Sequence, residues 1–281
     1  MADGELIFPK VPLETLAPAS ERWTPVFLEH GRLEVDDSSV KFIASDGSVV
    51  HLPVATISAL LLGPGITVTH AAIAACANSN TPVCWVGANV LRFYAHGITP
   101  NHANENAKLH ANLFAHPQSR ASVARRMFSL RFPDLDVSTR TIEQLRGLEG
   151  DRIRRLYQVF GEKYGVTWKG RNYDSSNWQL ADEINRAVSA ANAAFYGMCA
   201  AIICSLGFIP QLGFIHKTGS LPFVYDIADI YKPVSTLPAA FAAVRQHPHD
   251  AEEHVLLLLK EQIEEQNLMA KIPKHIIDIM K

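Results

Sequence analysis

The chain has 281 residues, 48% apolar and 19% charged, with 26 basic and 28 acidic side chains for a formal net charge of −2. That composition supports a real core, allows one large domain or two small ones, and excludes a disordered, collagenous or strongly basic chain. Near-zero net charge also argues against a stand-alone nucleic-acid binder unless the charge is unevenly spread.

Up to about residue 98 the pattern is one of strands. Val26-Phe27-Leu28-Glu29 leads through Gly31 to Leu33-Glu34-Val35. Val40-Lys41-Phe42-Ile43 and Val49-Val50-His51-Leu52 flank Asp46-Gly47, a hairpin signal. A short helix is expected over 70–78. Pro82 to Val86 and Val90 to Tyr94 then repeat the hairpin pattern around Ala88-Asn89. The polar stretch from Thr99 to Asn104 marks a linker. Beyond it the periodicity is helical: 105–116, 119–132, 141–164, 182–206, a short helix over 222–231, and two or three C-terminal helices. The expected fold class is α+β. An N-terminal β-rich domain (1–98) leads through a linker (99–107) to a larger all-α domain (108–281).

Residues 187–215 carry no Asp, Glu, Lys or Arg, which raises the question of a membrane span. Ser189, Asn192, Gly207 and Pro210 interrupt the run, so a buried core helix is expected and no membrane association. Cys76, Cys84, Cys199 and Cys204 lack zinc-ribbon spacing, and the N-terminus lacks a basic and an apolar signal region. Reduced, buried thiols in a cytoplasmic protein are expected.

Charge is unevenly spread. Residues 1–98 carry net −4, whereas residues 108–171 hold 13 basic and 6 acidic side chains, net +7. Concentrated positive charge suits phosphate contact, though a solvated helix face would read the same. From Asp250 to Glu265, six acids accompany one lysine, which suits solvent or a protein partner instead.

The helix over 141–164 carries the sharpest anomaly. At 100° per residue, Ile142, Leu145, Ile153, Leu156 and Phe160 fall within about 40° of one direction, and Glu149 points along the centre of that stripe. A carboxylate there is costly to desolvate unless it is paired or binds a metal. Gly147 and Gly150 flank it, which suggests close approach of a backbone or ligand. An ion pair with Arg146 or Arg152 is the ordinary alternative. Downstream, His216 precedes the loop Lys217-Thr218-Gly219-Ser220, and Asp226 and Asp229 share a helix face three residues apart. Glu, His and Asp together make a hard O/N donor set suited to Mg²⁺ or Mn²⁺. Taken singly, each has an everyday reading as a core histidine, a cap or an ion pair.

With these residues in view, the sequence resembles CRISPR-associated protein 1, the integrase and endonuclease of spacer acquisition, and most resembles the branch accompanying Cascade-type (subtype I-E) systems. The matching stretches are Glu143-Gln144-Leu145-Arg146-Gly147-Leu148-Glu149-Gly150, Tyr164-Gly165-Val166-Thr167-Trp168, Gly213-Phe214-Ile215-His216 and Phe223-Val224-Tyr225-Asp226-Ile227-Ala228-Asp229. His70-Ala71-Ala72 and Trp85-Val86-Gly87 with Arg92 match in the N-terminal half. The resemblance implies an N-terminal β-sandwich-like domain and a C-terminal α-helical catalytic domain, and that Glu149, His216 and Asp229 ligate a catalytic Mg²⁺ or Mn²⁺, with Asp226 close by and also required. It implies that Tyr173, Trp178, Tyr196 and Tyr225 lie at the active site or DNA path, and that Arg92 handles DNA. Arg146, Arg152 and Lys217 join them as expected DNA contacts. It further implies a homodimer, two of which clamp a dimer of the small CRISPR-associated protein 2 around duplex DNA with 3′ overhangs.

The implied chemistry is attack of a DNA 3′-hydroxyl on a phosphodiester of the repeat array, so no Ser or Cys nucleophile is required. Three departures stand out. His30 occupies a position where relatives tend to carry tyrosine, Thr67 and Ala74 replace basic residues, and the sequence ends at Lys281 without a Pro-rich tail, so a shorter or rearranged partner contact is expected. The competing readings are a non-catalytic module that positions DNA for another enzyme and an unrelated metal hydrolase acting on a small phosphoester.

Overall fold

In the computed structural model, residues 26–36, 39–57, 59–87, 93–97, 104–171 and 182–281 are described. The N-terminal half builds two four-stranded sheets. One contains β1 (Val26–Leu28), β5 (Leu60–Leu62), β7 (Val83–Val86) and β8 (Phe93–Gly97) in that spatial order. The other runs β4 (Val49–Leu52), β3 (Ser39–Ala44), β2 (Gly31–Asp36), β6 (Ile66–Val68). Asp46-Gly47 does make the β3–β4 hairpin turn: Gly47 has φ +84°, and Ala44 and Ser48 close it by a backbone hydrogen bond. The turn expected at Ala88-Asn89, with Arg92 beyond it, lies outside the described residues.

Strands β5 and β6 were not expected from the sequence, and for β5 the reason is physical. Leu60 and Leu62 enter a core shared by both sheets and α1 (His70–Asn78), while Leu61 packs with Ala201 on the opposite face. A strand buried on both faces has no polar alternation to announce it. It pairs in parallel with β1 and β7, the arrangement that such two-sided burial accompanies.

The second half is helical: α2 (Glu105–Ala115), α3 (Pro117–Arg131), α4 (Ile142–Tyr164), α5 (Glu183–Ser205), α6 (Pro222–Tyr231), a 3-10 turn (Lys232–Val234), α7 (Thr236–Gln246), α8 (Ala251–Glu265) and α9 (Leu268–Met280). Helix α2 starts at Glu105 as the periodicity leads one to expect, an acidic first residue favouring the positive end of a helix. Thr141 caps α4 with a complete capping box to Gln144, and Asp182 caps α5 by accepting from the Asn185 N–H. Helix α5 is long and apolar enough to cross a membrane, but most of it is buried among α6, α7, α8 and α9, as expected for a core helix. Its Ala201 end reaches the first sheet, so one helix ties the sheets to the helical core.

All four cysteines are free and buried. Burial pushes the thiols of Cys76, Cys84 and Cys204 up to about 12 and that of Cys199 higher still, so none is a nucleophile near neutral pH. His30 sits between β1 and β2 with φ +50°. Its backbone N–H donates to Pro64 and its carbonyl accepts from Ser45, which fixes it as a strand-junction residue.

Candidate active site

The expected acids and histidine meet where α3, α4, α6 and the loop before α6 converge. The loop is held by a single fully buried carboxylate. Asp226 Oδ2 accepts the backbone N–H groups of Phe214 (2.6 Å) and Ile215 (3.0 Å), and Oδ1 accepts that of His216 (2.8 Å) and its Nδ1 (2.7 Å). A carboxylate with four such donors acts as an acceptor only, so the imidazole donates to it from Nδ1 and turns Nε2 away from it. Gly213 is required here, since a Cβ would stand 2.5 Å from Pro222 and 2.6 Å from the His216 carbonyl. Gly219, at φ +99°, likewise leaves room for the Tyr225 ring.

His216 Nε2 faces Asp229 Oδ2 at 3.6 Å. On its other side, Asp229 Oδ1 is ion-paired with Lys232 Nζ at 2.5 Å, and Lys232 also donates to the Tyr196 hydroxyl at 2.7 Å. Burial pushes the Asp229 carboxyl up, but the charges of Lys232 and Arg131 outweigh it and hold it below its ordinary value. Burial likewise opposes the charge on Lys232, yet Asp229 and Tyr196 raise its pKa. Tyr225 packs edge-on to both Tyr196 (5.0 Å) and His216 (5.9 Å).

Glu149 lies half-buried on the apolar stripe, its side chain 13% exposed. Its partner is Arg131 at the end of α3, rather than Arg146 or Arg152. Arg131, 2% exposed, donates Nη1 to Glu149 Oε2 and Nη2 to the Asp226 backbone carbonyl at 2.7 Å, bridging α4 to α6. Glu149 Oε1 is buried with no hydrogen-bond partner among the described residues. Burial, helped by the nearby Asp229 charge, raises the Glu149 carboxyl above its ordinary value in spite of Arg131. The flanking glycines do not serve close packing: a Cβ at Gly147 or Gly150 would meet nothing within 4 Å.

Among the described residues, no three His, Cys, Asp or Glu side chains are gathered closely enough to hold a metal ion. Arg131 and Lys232 supply positive charge beside Glu149 and Asp229. The donors nevertheless fit a hard divalent cation in kind: an imidazole with Nε2 open, a carboxylate facing it, and a buried carboxylate oxygen without a partner. Asp226 is not among them. With no exposed surface, it acts by fixing the His216 ring.

Of the expected DNA contacts, Tyr196 and Tyr225 line this site. Arg152 is half-buried on α4 with its guanidinium 5.5 Å over Phe132, and Arg146 is exposed on the same helix. Lys217 is exposed and lines a separate depression with Arg120 and Phe214. Arg92, Tyr173 and Trp178 lie outside the described residues. Sequence reasoning missed Arg131 and Lys232. Lys232 sits three residues after Asp229, the spacing of a helical neighbour, and was legible there. Arg131 carried no comparable local signal.

Residues 131–256 match the family model described as CRISPR associated protein Cas1. The chain is 40% identical over 272 residues to CRISPR-associated endonuclease Cas1 2 of Chlorobaculum tepidum, covering 96% of this chain and 92% of that one. It is 36% identical to CRISPR-associated endonuclease Cas1 of Escherichia coli K12, covering 94% and 86%. A crystal structure of a TtCas1–DNA complex superposes with TM-score 0.86 at 38% identity, covering 92% of this chain and 96% of that one.

Proposed function

This chain belongs to the Cas1 family of CRISPR-associated endonucleases, and from that premise we propose that it is a divalent-metal-dependent integrase and endonuclease of the subtype I-E-like branch. Its reaction joins the 3′-hydroxyl ends of a captured DNA fragment to the repeat array. The observation that carries this reading is the His216–Asp226 pair: a fully buried carboxylate fixes Nδ1 and presents Nε2 beside Asp229, close to a half-buried, half-satisfied Glu149. A pure DNA-binding module has no use for such an arrangement.

In the reaction, the hydroxyl oxygen of the fragment bonds to phosphorus while the bond to the 3′-oxygen of the repeat strand breaks. The proton lost by the first oxygen is matched by one gained by the second. With water as nucleophile, the same exchange is hydrolysis. Glu149, His216 Nε2 and Asp229 would hold Mg²⁺ or Mn²⁺, which when bound lowers the pKa of the attacking hydroxyl and neutralises charge at phosphorus. Asp226 orients the imidazole. Lys232 keeps Asp229 ionised and fixes the Tyr196 hydroxyl, and Tyr196 and Tyr225 offer ring faces and edges to unstacked bases. The net +7 of residues 108–171 supplies phosphate affinity.

The assembly that suits this chemistry is a homodimer, two of which hold a dimer of the small CRISPR-associated protein 2 on duplex DNA with 3′ overhangs. The four unpaired thiols suit a cytoplasmic setting. The test is incubation with labelled branched DNA that mimics a half-integrated product, in Mn²⁺, in Mg²⁺ and with chelator, beside Glu149→Gln and His216→Ala. Metal-dependent strand release and rejoining is expected for the parent chain and absent from both variants. Branched DNA that is bound but never cut or rejoined, even with the small partner added, favours the non-catalytic module.

A further inference from the structure

Between α5 and α6 the chain runs through residues 206–221 without helix or strand, and the part that leads to His216 is largely buried. Backbone groups in a buried loop need partners from elsewhere in the fold. Helix α2 and the start of α3 supply them. Asn106 donates to the Leu206 carbonyl at 2.8 Å. One turn further along α2, on the same face, His110 Nε2 donates to the Leu212 carbonyl at 2.7 Å, while its Nδ1 accepts the Ile209 N–H at 3.2 Å. Arg120 donates to the Gly213 carbonyl at 3.3 Å. These contacts follow the loop towards the histidine of the reactive centre.

His110 is the central one. It has no exposed surface, and its ring stacks on Phe214 at 5.1 Å and 9° and meets Phe223 edge-on at 4.5 Å. Both phenylalanines are tied to Asp226: the Phe214 N–H is one of those its carboxylate accepts, and Phe223 stands three residues before it on α6. Asp226 thus holds the loop from the α6 side and His110 from the α2 side. A phenylalanine would fill the same space among these rings without burying two ring nitrogens. A buried polar ring with both nitrogens bonded fixes one arrangement of its neighbours, which an apolar ring of that size does not.

We propose that His110 is a positioning residue of the reactive centre: through Leu212 and Phe214 it sets where the loop places His216, and so how Nε2 faces Asp229. The inference rests on the function proposed above and adds a residue, out of reach of any substrate, on which that geometry depends.

The test compares the parent chain with three variants. His110→Gln keeps an amide nitrogen for the Leu212 carbonyl, His110→Asn keeps an amide oxygen for the Ile209 N–H, and His110→Phe keeps only the ring contacts. Urea titration comes first, so that each variant is assayed where it is folded. Three readouts follow: Mn²⁺ binding, from loss of the free-ion EPR signal; the rate of branched-DNA cleavage at saturating Mn²⁺; and the heteronuclear NMR resonance of the His216 Nδ1 proton, which reports its bond to Asp226. His110→Phe is expected to shift that resonance and to bind Mn²⁺ about 10–100-fold more weakly, the cost of losing a support behind a metal-ligating histidine. His110→Gln retains the shorter bond and the one nearer His216, so it is expected to stay closest to the parent, with His110→Asn between.

A folded His110→Phe with parental resonance, Mn²⁺ affinity and rate would overturn the proposal, since a loss confined to stability makes His110 a core residue only. Where His110→Phe does not fold, the other two variants decide, and equal behaviour of glutamine and asparagine overturns it. A parent chain that neither binds Mn²⁺ nor cleaves, while the His216 resonance still follows His110, counts against the catalytic reading alone. Metal-dependent cleavage by the parent, with all three variants alike, counts against the positioning role alone.

Discussion

His216 and Asp226 are joined twice through one oxygen: Asp226 Oδ1 accepts both the backbone N–H and the ring Nδ1 of His216, at 2.8 and 2.7 Å. The loop that carries the histidine and the ring itself are therefore positioned by the same buried charge, and stability and site geometry cannot be separated at this residue.

Asp226→Asn turns part of that acceptor into a donor facing other donors. The expected outcome is a loss on the order of 3 kcal/mol of stability, because hydrogen bonds to a buried charge are worth more than neutral ones. Thermal and urea melts check it, and an unchanged Tm would show that the loop does not depend on this carboxylate. Activity on branched DNA is expected to fall in the same variant, even below its melting temperature.

Glu149→Ala leaves the Arg131 guanidinium buried without its counter-charge. Breaking a buried pair from one side costs about 3–5 kcal/mol. Glu149→Gln keeps an acceptor for Arg131 and is expected to be markedly less destabilised in a urea titration. Equal stabilities for the two variants would mean that the Arg131 pair contributes little. The comparison also guards the activity test, since a loss seen in alanine alone would reflect folding.

His110 provides a pH handle beneath the loop that carries His216. It is fully buried, its Nε2 donating to the Leu212 carbonyl at 2.7 Å and its Nδ1 accepting from the Ile209 N–H at 3.2 Å, which is the neutral form. Burial lowers its pKa from 6.5 to about 4, against smaller opposing effects of Leu212 and Asp226. The unfolded chain thus binds the proton first. The contribution of His110 is whole above pH 6.5 and declines as pH falls towards 4, by about 3 kcal/mol in all. Stability followed across that range, with His110→Gln flattening the curve, checks the assignment.

Gly147 and Gly150 stand in open space in the middle of α4. Gly147→Ala is expected to stabilise the chain by about 1 kcal/mol, the helix-propensity difference, with Gly150→Ala acting alike. A rise in Tm with DNA binding intact would mean that neither glycine makes room for a ligand. A rise in Tm with weakened binding would mean that DNA approaches this face.

Much of the architecture follows from local physics in the sequence. The 3.6-residue period placed Glu149 at the centre of the α4 stripe and Asp46-Gly47 turned the β3–β4 hairpin, because each depends on neighbours a few residues away. The grouping of His216 with Asp226 and Asp229 was legible for the same reason. Tertiary structure decided the rest. Leu60–Leu62 is a strand only because a core covers one face and Ala201 of α5 the other, so its sequence shows no alternation. The cation that meets Glu149 is Arg131, 18 residues away on another helix, chosen by how α3 and α4 pack rather than by proximity along α4, where Arg146 and Arg152 stood nearer. Asp226 and Asp229 look equivalent in sequence, yet packing buries one beneath the loop as an anchor and leaves the other facing the imidazole. Burial sets the electrostatic role of a carboxylate, and burial is a property of the assembled fold.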